Sequence, residues 1–558
     1  MRAMHAQDAV PPECHDRPRE DGLTRRLLSL YSRWLVWYVL GVLVLWVVGI
    51  EAMYRHPTPF HALYAPVLPS LWLLLGMAAG LGLAVTAGRA WLREDDGDHA
   101  GGIHGVRRRW AALCTGVLLV ACVGLYLSAG REGRGLVEEL AAQWERTRWH
   151  LPPVLVFGAF LLVWIHVLRR TSWFDREPDL RTARWILVGL IVFAALFSTS
   201  VAMIRDGTAG VTAAYERHTY EYINDIGRGM TIRGLFRDYN SLHPYLSMHS
   251  KVHPPGPVAI LWVLSYVAAT RGPLGLSIAT ILFGALGVIP LYLWARDLAG
   301  KRIALTCCVL YTLMPGIVLF TATSADILFM PFTLTTLFLF WRAIDRRSIR
   351  YAIAAGAMYA VLSLISFSLV GLGAFFGLVG LWRLTKPGAR LAVVQTGVVM
   401  AVAFLAVHGL VWLWTGFDVF ECFRLSKNQF DTDQLNLEIW TPRYPAWTWR
   451  ILNPLCWVFF AGIPVSLLFV WRLARPDHET KGLFLVFVLT LLAFDVLYLA
   501  RGEGERSAMY IYPFMALPAA HVLDRLGRES RMHGPMIATM CFLAFQCWLV
   551  ESYLFTYW

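Results

Sequence analysis

The chain has 558 residues, 57% hydrophobic and only 16% charged, with a mean hydropathy of +0.52. Ordinary soluble domains carry about 25% charged residues, so this composition excludes a soluble globular class. The net charge of +12 comes from Lys and Arg spread in small groups between apolar runs, which excludes a basic nucleic-acid-binding face and fits cytoplasmic anchors.

In chain order, residues 1–31 are polar and contain Pro11, Pro12, Arg17, Arg19, Arg25 and Arg26. They are too long and mixed for a signal-peptide n-region and read as a cytoplasmic tail before an uncleaved helix. A spanning helix needs about 20 apolar residues. Such runs lie near 32–50, 67–88, 110–128, 152–168, 184–204, 274–294, 303–321, 325–342, 391–414, 454–473, 482–499, 507–523 and 535–555. Residues 350–382 accommodate two shorter helices that turn at 366–368. The fold expected is all-α and polytopic, a helical bundle of about 15 transmembrane helices. Cysteines at 114, 122, 307, 308, 541 and 547 fall inside these runs and read as small hydrophobic residues, with no CxxC pair.

The run at 257–270 is too short to span, and suits an interfacial or re-entrant segment. If it does not cross, the clusters at Arg169/Arg170, Arg296/Lys301/Arg302, Arg342/Arg346/Arg347/Arg350, Arg383/Lys386/Arg390, Arg472/Lys481 and Arg525/Arg528 share one side. The positive-inside rule makes that side cytoplasmic. Arg131, Arg134, Arg146 and Arg148 are exceptions that land outside.

This orientation gathers three segments on the outer face: the long loop 205–256, the turn at 324–326 and the loop 415–453. In the first, Tyr222, Ile223, Ile226 and Met230, then Ile232, Leu235 and Phe236, fall at helical spacing and predict amphipathic helices on the membrane surface. It ends in HPYLSMHSKVHPPGP (243–257), three histidines and a Pro-Pro-Gly beside an apolar run. Polar residues packed against membrane segments mark the place where such a protein works.

A long outer loop with surface helices and acids, ending in His-Pro-Pro-Gly, resembles the GT-C superfamily of integral-membrane glycosyltransferases. LTCCVLYTLMPGIVLFTATSADILFMPFTLTTLFLF (305–340) looks like that superfamily's third and fourth core helices, with Asp326 in the turn between them. RGEGERSAMYIYPFMALPAA (501–520) looks like a "Glu-Arg … Pro-Phe" helix of bacterial members. The group implied is the polyprenyl-phosphate-sugar-dependent one that includes protein mannosyltransferases and aminoarabinose transferases. The implied organisation is a cytoplasmic tail (1–31), accessory transmembrane helices (32–180), a GT-C-like core (184–523) and a C-terminal transmembrane helix (524–558).

The resemblance implies transfer of a sugar from a polyprenyl-phosphate carrier to a saccharide, lipid or protein acceptor, on the extracytoplasmic face of the cytoplasmic (inner) membrane. It implies no fixed cofactor, since some members use a divalent metal and others do not. A carboxylate takes the acceptor's proton, and cationic or hydrogen-bonding groups hold the departing phosphate.

Glu221 and Asp225, four apart in HTYEYINDIGRG, share a face if that piece is helical and are the candidate catalytic acids of the first loop. The resemblance does not choose between them, because its usual Asp-Glu pair is missing; the bland reading is a pair of solvated acids facing Arg217 and Arg228. Asp326 is the third catalytic candidate, since a carboxylate between apolar runs is costly without a role. It or Ser324 would also serve as an N-cap. His243, His249, Lys251 and His253 are candidate substrate ligands. The zinc signal is weak, because Pro254 pushes His253 out of the helical region and no HExxH is present, so hydrogen bonds to phosphate or sugar are the stronger reading beside a divalent metal. Arg506, beside Glu505, is proposed for the lipid phosphate because a guanidinium binds phosphate oxygens bidentately. Lys427, Arg443 and Arg450 are ordinary loop charges that also sit within reach of that face. Two other classes stay open: a transporter of a lipid-linked or small polar substrate, and a membrane lipid phosphatase using His as nucleophile. The chain shows neither the internal repeat common in the first nor an Arg-rich phosphate signature for the second.

Overall fold

The computed structural model describes residues 148–553, apart from 172, 175, 217–219, 228, 441–448, 475–479, 498–503 and 531–532. The chain divides into two compact units, 1–63 and 64–558, and all described residues belong to the second. The tail and the runs at 32–50, 67–88 and 110–128 therefore lie outside the described residues.

Every regular element among the described residues is helical. The long helices are α1 (Leu151–Arg170), α2 (Leu180–Asp206), α7 (Pro273–Ala285) with α8 (Val288–Ala299), α11 (Met330–Asp345), α14 (Arg390–Thr415) and α21 (Gly534–Tyr553). Between them run the shorter α3 (Thr208–Glu216), α4 (Ile232–Leu242), α5 (Met248–Val252), α6 (Gly256–Val267), α9 (Lys301–Tyr311), α10 (Pro315–Thr323), α12 (Ile349–Ile365) and α13 (Leu372–Leu384). The remainder are α15 (Val419–Trp440), α16 (Trp449–Ala461), α17 (Ile463–Ala474), α18 (Lys481–Leu497), α19 (Gly504–Ser507) and α20 (Tyr512–Ser530). Among the described residues seven helices are long and apolar enough to cross a membrane, or nine if each of two bent pairs is one span. The chain is a multi-pass integral membrane protein, and about 15 spans is more than the described residues contain.

Two runs expected to be straight are bent. α9 and α10 meet at 56°, where Pro315 begins the second helix, since proline supplies no amide for the ladder of the first. α16 and α17 meet at 106° across Gly462, whose φ of +93° is open to glycine but not to residues with a Cβ. The single span expected at 454–473 is therefore a sharply folded pair. The 257–270 run forms α6, twelve residues long and about 18 Å at the usual rise, too short to span.

Ion pairs separate the two ends of the bundle. At one end Arg302 Nε meets Asp524 Oδ1 at 2.5 Å, Arg528 meets Asp524 at 3.0 Å, Arg342 Nη2 meets Asp297 at 3.0 Å, and Arg383 meets Asp345 at 3.0 Å. These residues come from the clusters that charge bias puts on one side. At the far end of the α9–α10 pair the chain turns at Ser324, beside Arg506.

Segment 205–256 packs onto this far end. α4 buries Leu235, Phe236 and Tyr239 and exposes Arg233 and Arg237, as its helical spacing requires. The Thr231 hydroxyl caps it, accepting from Gly234 N–H at 3.1 Å. Arg233 donates to the Trp414 carbonyl, Asn240 donates to that of Asp418, and Phe236 stacks edge-on against Phe417, so the end of α14 holds α4 in place. The amphipathic helix expected from Tyr222 does not form: Tyr222–Asp225 is a single 3₁₀ turn, and 226–227 and 229–230 are not helical. The expected loop 415–453 also differs, being mostly α15.

Candidate active site

The site lies where four pieces of chain meet: the 3₁₀ turn Tyr222–Asp225, the short α5, the turn at Ser324–Phe329 and α19. The Ser324 hydroxyl accepts the Asp326 amide at 3.1 Å, so the serine does the capping and the Asp326 side chain is released from it. That carboxylate, in a residue 7% exposed, pairs with Arg506 Nε at 3.3 Å. Desolvating one charge here without the other would be costly. The pair joins two motifs picked out separately in the sequence.

Tyr222 sits between this pair and α5. Its ring centroid is 5.7 Å from His249 and 5.9 Å from His253, and His253 lies 5.8 Å from Phe329 of the Asp326 turn. Burial pushes the Tyr222 phenol well above its ordinary range; Asp326 and Glu221 add to that and Arg506 opposes it. The same two carboxylates act on Tyr215, whose hydroxyl shares a 2.6 Å hydrogen bond with Thr280. Glu221 and Asp326 thus lie near both tyrosines, and Arg506 lies near Tyr222.

Glu221 and Asp225 do not share a face, because the helix that would align them does not form. Asp225 is committed to two serines. Its carboxylate accepts the Ser247 amide at 3.0 Å, the Ser247 hydroxyl at 2.6 Å and the Ser250 hydroxyl at 2.5 Å, clamping the 3₁₀ turn to α5. Glu221 is 1% exposed, and among the described residues neither carboxylate oxygen has a hydrogen-bond partner. Its ionic neighbour is His249 Nδ1, 3.5 Å from Oε2, on a side chain that is 20% exposed. The His249 amide donates to the Tyr220 carbonyl at 3.0 Å, which fixes α5 beside Glu221 from the other direction.

The other candidates divide. His243 is buried, with Nε2 2.9 Å from the Lys251 carbonyl, so its ring braces the loop instead of facing a substrate. Among the described residues Lys251 has no ion-pair partner and is half-buried on α5. The side chain of Glu505, together with Arg217, Arg228 and Arg443, lies outside the described residues. Lys427 pairs with Asp431 on the exposed face of α15, and Arg450 donates to the Asp495 carbonyl. Among the described residues no group of three or more His, Cys, Asp or Glu gathers as a metal site.

Three features escaped the sequence reading. Tyr239 holds the end of α5, its hydroxyl donating to the Ser250 carbonyl at 2.8 Å and lying 3.1 Å from that of His253. The Ser247/Ser250 clamp was signalled by their spacing of three around His249. Gly256 lies against the end of α12, where a Cβ would stand 2.3 Å from the Leu364 carbonyl oxygen. The His-Pro-Pro-Gly run thus needs its glycine for close backbone approach, beyond the rigid break that the prolines supply.

Residues 252–414 match the family of dolichyl-phosphate-mannose-protein mannosyltransferases. That segment holds His253, the Pro-Pro-Gly, α6 and the Asp326 turn. No curated protein matches. Among solved structures, the Archaeoglobus fulgidus oligosaccharyltransferase tethered to an acceptor peptide with the NVT sequon aligns at 14% identity and TM-score 0.41, covering 68% of this chain and 56% of that one. The same enzyme in complex with Zn and sulfate aligns at 14% identity and TM-score 0.37, covering 65% and 53%. The chain spans about half the length of these structures.

Proposed function

From a chain whose residues 252–414 match a mannosyltransferase family within a GT-C-type helical bundle, we propose a glycosyltransferase that moves a sugar from a polyprenyl-phosphate carrier to an acceptor hydroxyl. The reaction takes place on the extracytoplasmic face of the cytoplasmic membrane, and the core that performs it is 184–523. The observation that carries this reading is the convergence of Asp326–Arg506 with Glu221–His249 around Tyr222.

The acceptor oxygen attacks the anomeric carbon, the bond from that carbon to the phosphate oxygen breaks, and the lipid phosphate leaves with the electron pair. Arg506 holds that phosphate, oriented by Asp326, with Lys251 and His253 adding a positive or hydrogen-bonding rim on the α5 side. The acceptor's proton ends on Glu221, the carboxylate with uncommitted oxygens. Asp225 positions α5 and takes no proton, because the Ser247 and Ser250 donors occupy it.

The test uses the full chain in vesicles given a panel of polyprenyl-phosphate sugars, with transfer followed by label incorporated into acceptor. Glu221→Gln and Asp326→Asn are expected to abolish transfer while expression and membrane insertion stay intact. Full activity in both variants overturns the site. Solute flux without any sugar transfer by the wild type overturns the activity in favour of a transporter.

A further inference from the structure

Glu221 is almost wholly buried, yet the proposed chemistry needs its charge to meet a proton arriving from outside. Its ionic neighbour among the described residues is His249, one-fifth exposed, with Nδ1 3.5 Å from Glu221 Oε2. Among the described residues both Glu221 oxygens lack hydrogen bonds, which leaves them open to a proton delivered by that imidazole. A buried carboxylate without hydrogen bonds is expensive unless something pairs with it in the working state. The 3.5 Å separation is an ion-pair distance longer than a hydrogen bond, and such contacts tighten when substrate fills a site.

Resting on the glycosyl-transfer reading, we propose that His249 is the catalytic residue that contacts the acceptor and relays its proton inward, with Glu221 acting through it as a buried sink. As the acceptor oxygen bonds to the anomeric carbon, its proton passes to His249 Nε2 and the Nδ1 proton passes to Glu221 Oε2. The bond to the donor phosphate breaks and its electron pair leaves on the phosphate. The imidazole ends neutral, Glu221 ends protonated, and the proton returns to solvent by the same route before the next turnover.

Other elements shape this relay. On α5 itself, Lys251 is the nearby cation and Ser250 ties the helix to Asp225. Facing it are Tyr222, from the 3₁₀ turn, and His253, with Asp326 and Arg506 beyond Tyr222. Asp225 accepts from Ser247 and Ser250, and the carboxylate paired with His249 is that of Glu221.

The decisive experiment compares His249→Ala, His249→Gln and His249→Ala/Glu221→Gln in vesicles with the donor sugar that the wild type uses, each with and without added imidazole. General acid–base groups contribute about a hundredfold or more, so both single variants are expected to lose about a hundredfold in kcat with little change in donor KM. Imidazole restores part of the rate to His249→Ala but none to the double variant. Near-wild-type turnover in His249→Gln overturns the relay, because the amide keeps the bulk and a hydrogen bond without carrying protons inward. A slow His249→Ala that melts like the wild type and is not rescued by imidazole also overturns it. These failures occur with a wild type that transfers sugar, whereas a wild type that transfers none overturns the functional reading itself.

Discussion

Arg506 Nε stands 3.3 Å from Asp326 Oδ2, both side chains about nine-tenths buried, and so ties the turn after α10 to the helix turn before α20. Breaking a buried pair from one side leaves an uncompensated charge and costs about 3–5 kcal/mol. Arg506→Ala is expected to lower the melting temperature clearly and to raise the donor KM. The double change Arg506→Met/Asp326→Leu is expected to recover most of the stability and none of the activity. A double variant that transfers sugar normally would reduce the pair to a structural tie.

Glu221 and Asp225 separate by what their substitution should damage. Hydrogen bonds to a charged group are worth about 1.5–3 kcal/mol each, and Asp225 accepts from Ser247 and Ser250. Asp225→Asn is therefore expected to destabilise the protein, with a partial loss of activity that follows the melting temperature. Glu221→Gln removes a charge with no hydrogen bond to lose, and is expected to abolish kcat at unchanged or raised stability. Thermal melts beside turnover decide; the opposite pattern would return the proton-accepting role to Asp225.

The sequence made the bundle and the short 256–267 helix legible and put 326 and 506 on one face, because apolar length, charge bias and motif order report on those features directly; that the two pair with each other came from the structure. Helical spacing was no guide at 222–230, where Gly227 and Gly229 and the clamp on Asp225 favour a 3₁₀ turn over a helix. It also concealed the different surroundings of the two acids, since the Ser247 and Ser250 donors to Asp225 come from across the loop. The role of His243 was hidden likewise: its partner is a backbone carbonyl, which no side-chain pattern announces.

Gly256 gives a sharp steric prediction. A Cβ there would sit 2.3 Å from the Leu364 carbonyl oxygen and 2.7 Å from Ile365 Cα, both backbone atoms that cannot swing away. Overpacking costs about 1–3 kcal/mol where side chains yield, and here the strand of chain leading to His253 must move instead. Gly256→Ala is expected to lower both stability and activity, whereas Gly189→Ala, on α2 with open space around it, is expected to lower neither. Equal melting temperatures for Gly256→Ala and wild type would refute the close approach.

Alkaline pH offers a test of the Tyr222 environment. Its folded-state phenol titrates well above the ordinary value of about 10 because burial and the nearby Asp326 carboxylate disfavour the phenolate. The unfolded chain then loses that proton first, so its stability contribution is intact below about pH 10 and falls as the pH rises beyond it. Tyr222→Phe removes this term and is expected to flatten the alkaline loss of melting temperature. Tyr239, raised by burial in the same way, keeps the remaining part. An alkaline profile identical in Tyr222→Phe and wild type would mean that the phenol is solvated.

Sidedness can be read by labelling. Tyr245 is 85% exposed in the turn before α5, and Arg347 lies in the turn between α11 and α12 near the Arg342–Asp297 cluster at the other end of the bundle. Of the described cysteines, 307, 308, 422, 541 and 547 are buried and Cys456 is half-buried, so the labelling is done in a background in which Cys14, Cys114, Cys122 and Cys456 are replaced by serine. With the active site outside, Tyr245→Cys is expected to react with a membrane-impermeant maleimide on intact cells and Arg347→Cys only after permeabilisation. Reaction of Arg347→Cys alone on intact cells would turn the bundle over, put Glu221, Asp326 and Arg506 in the cytosol, and require a donor carried on the inner leaflet.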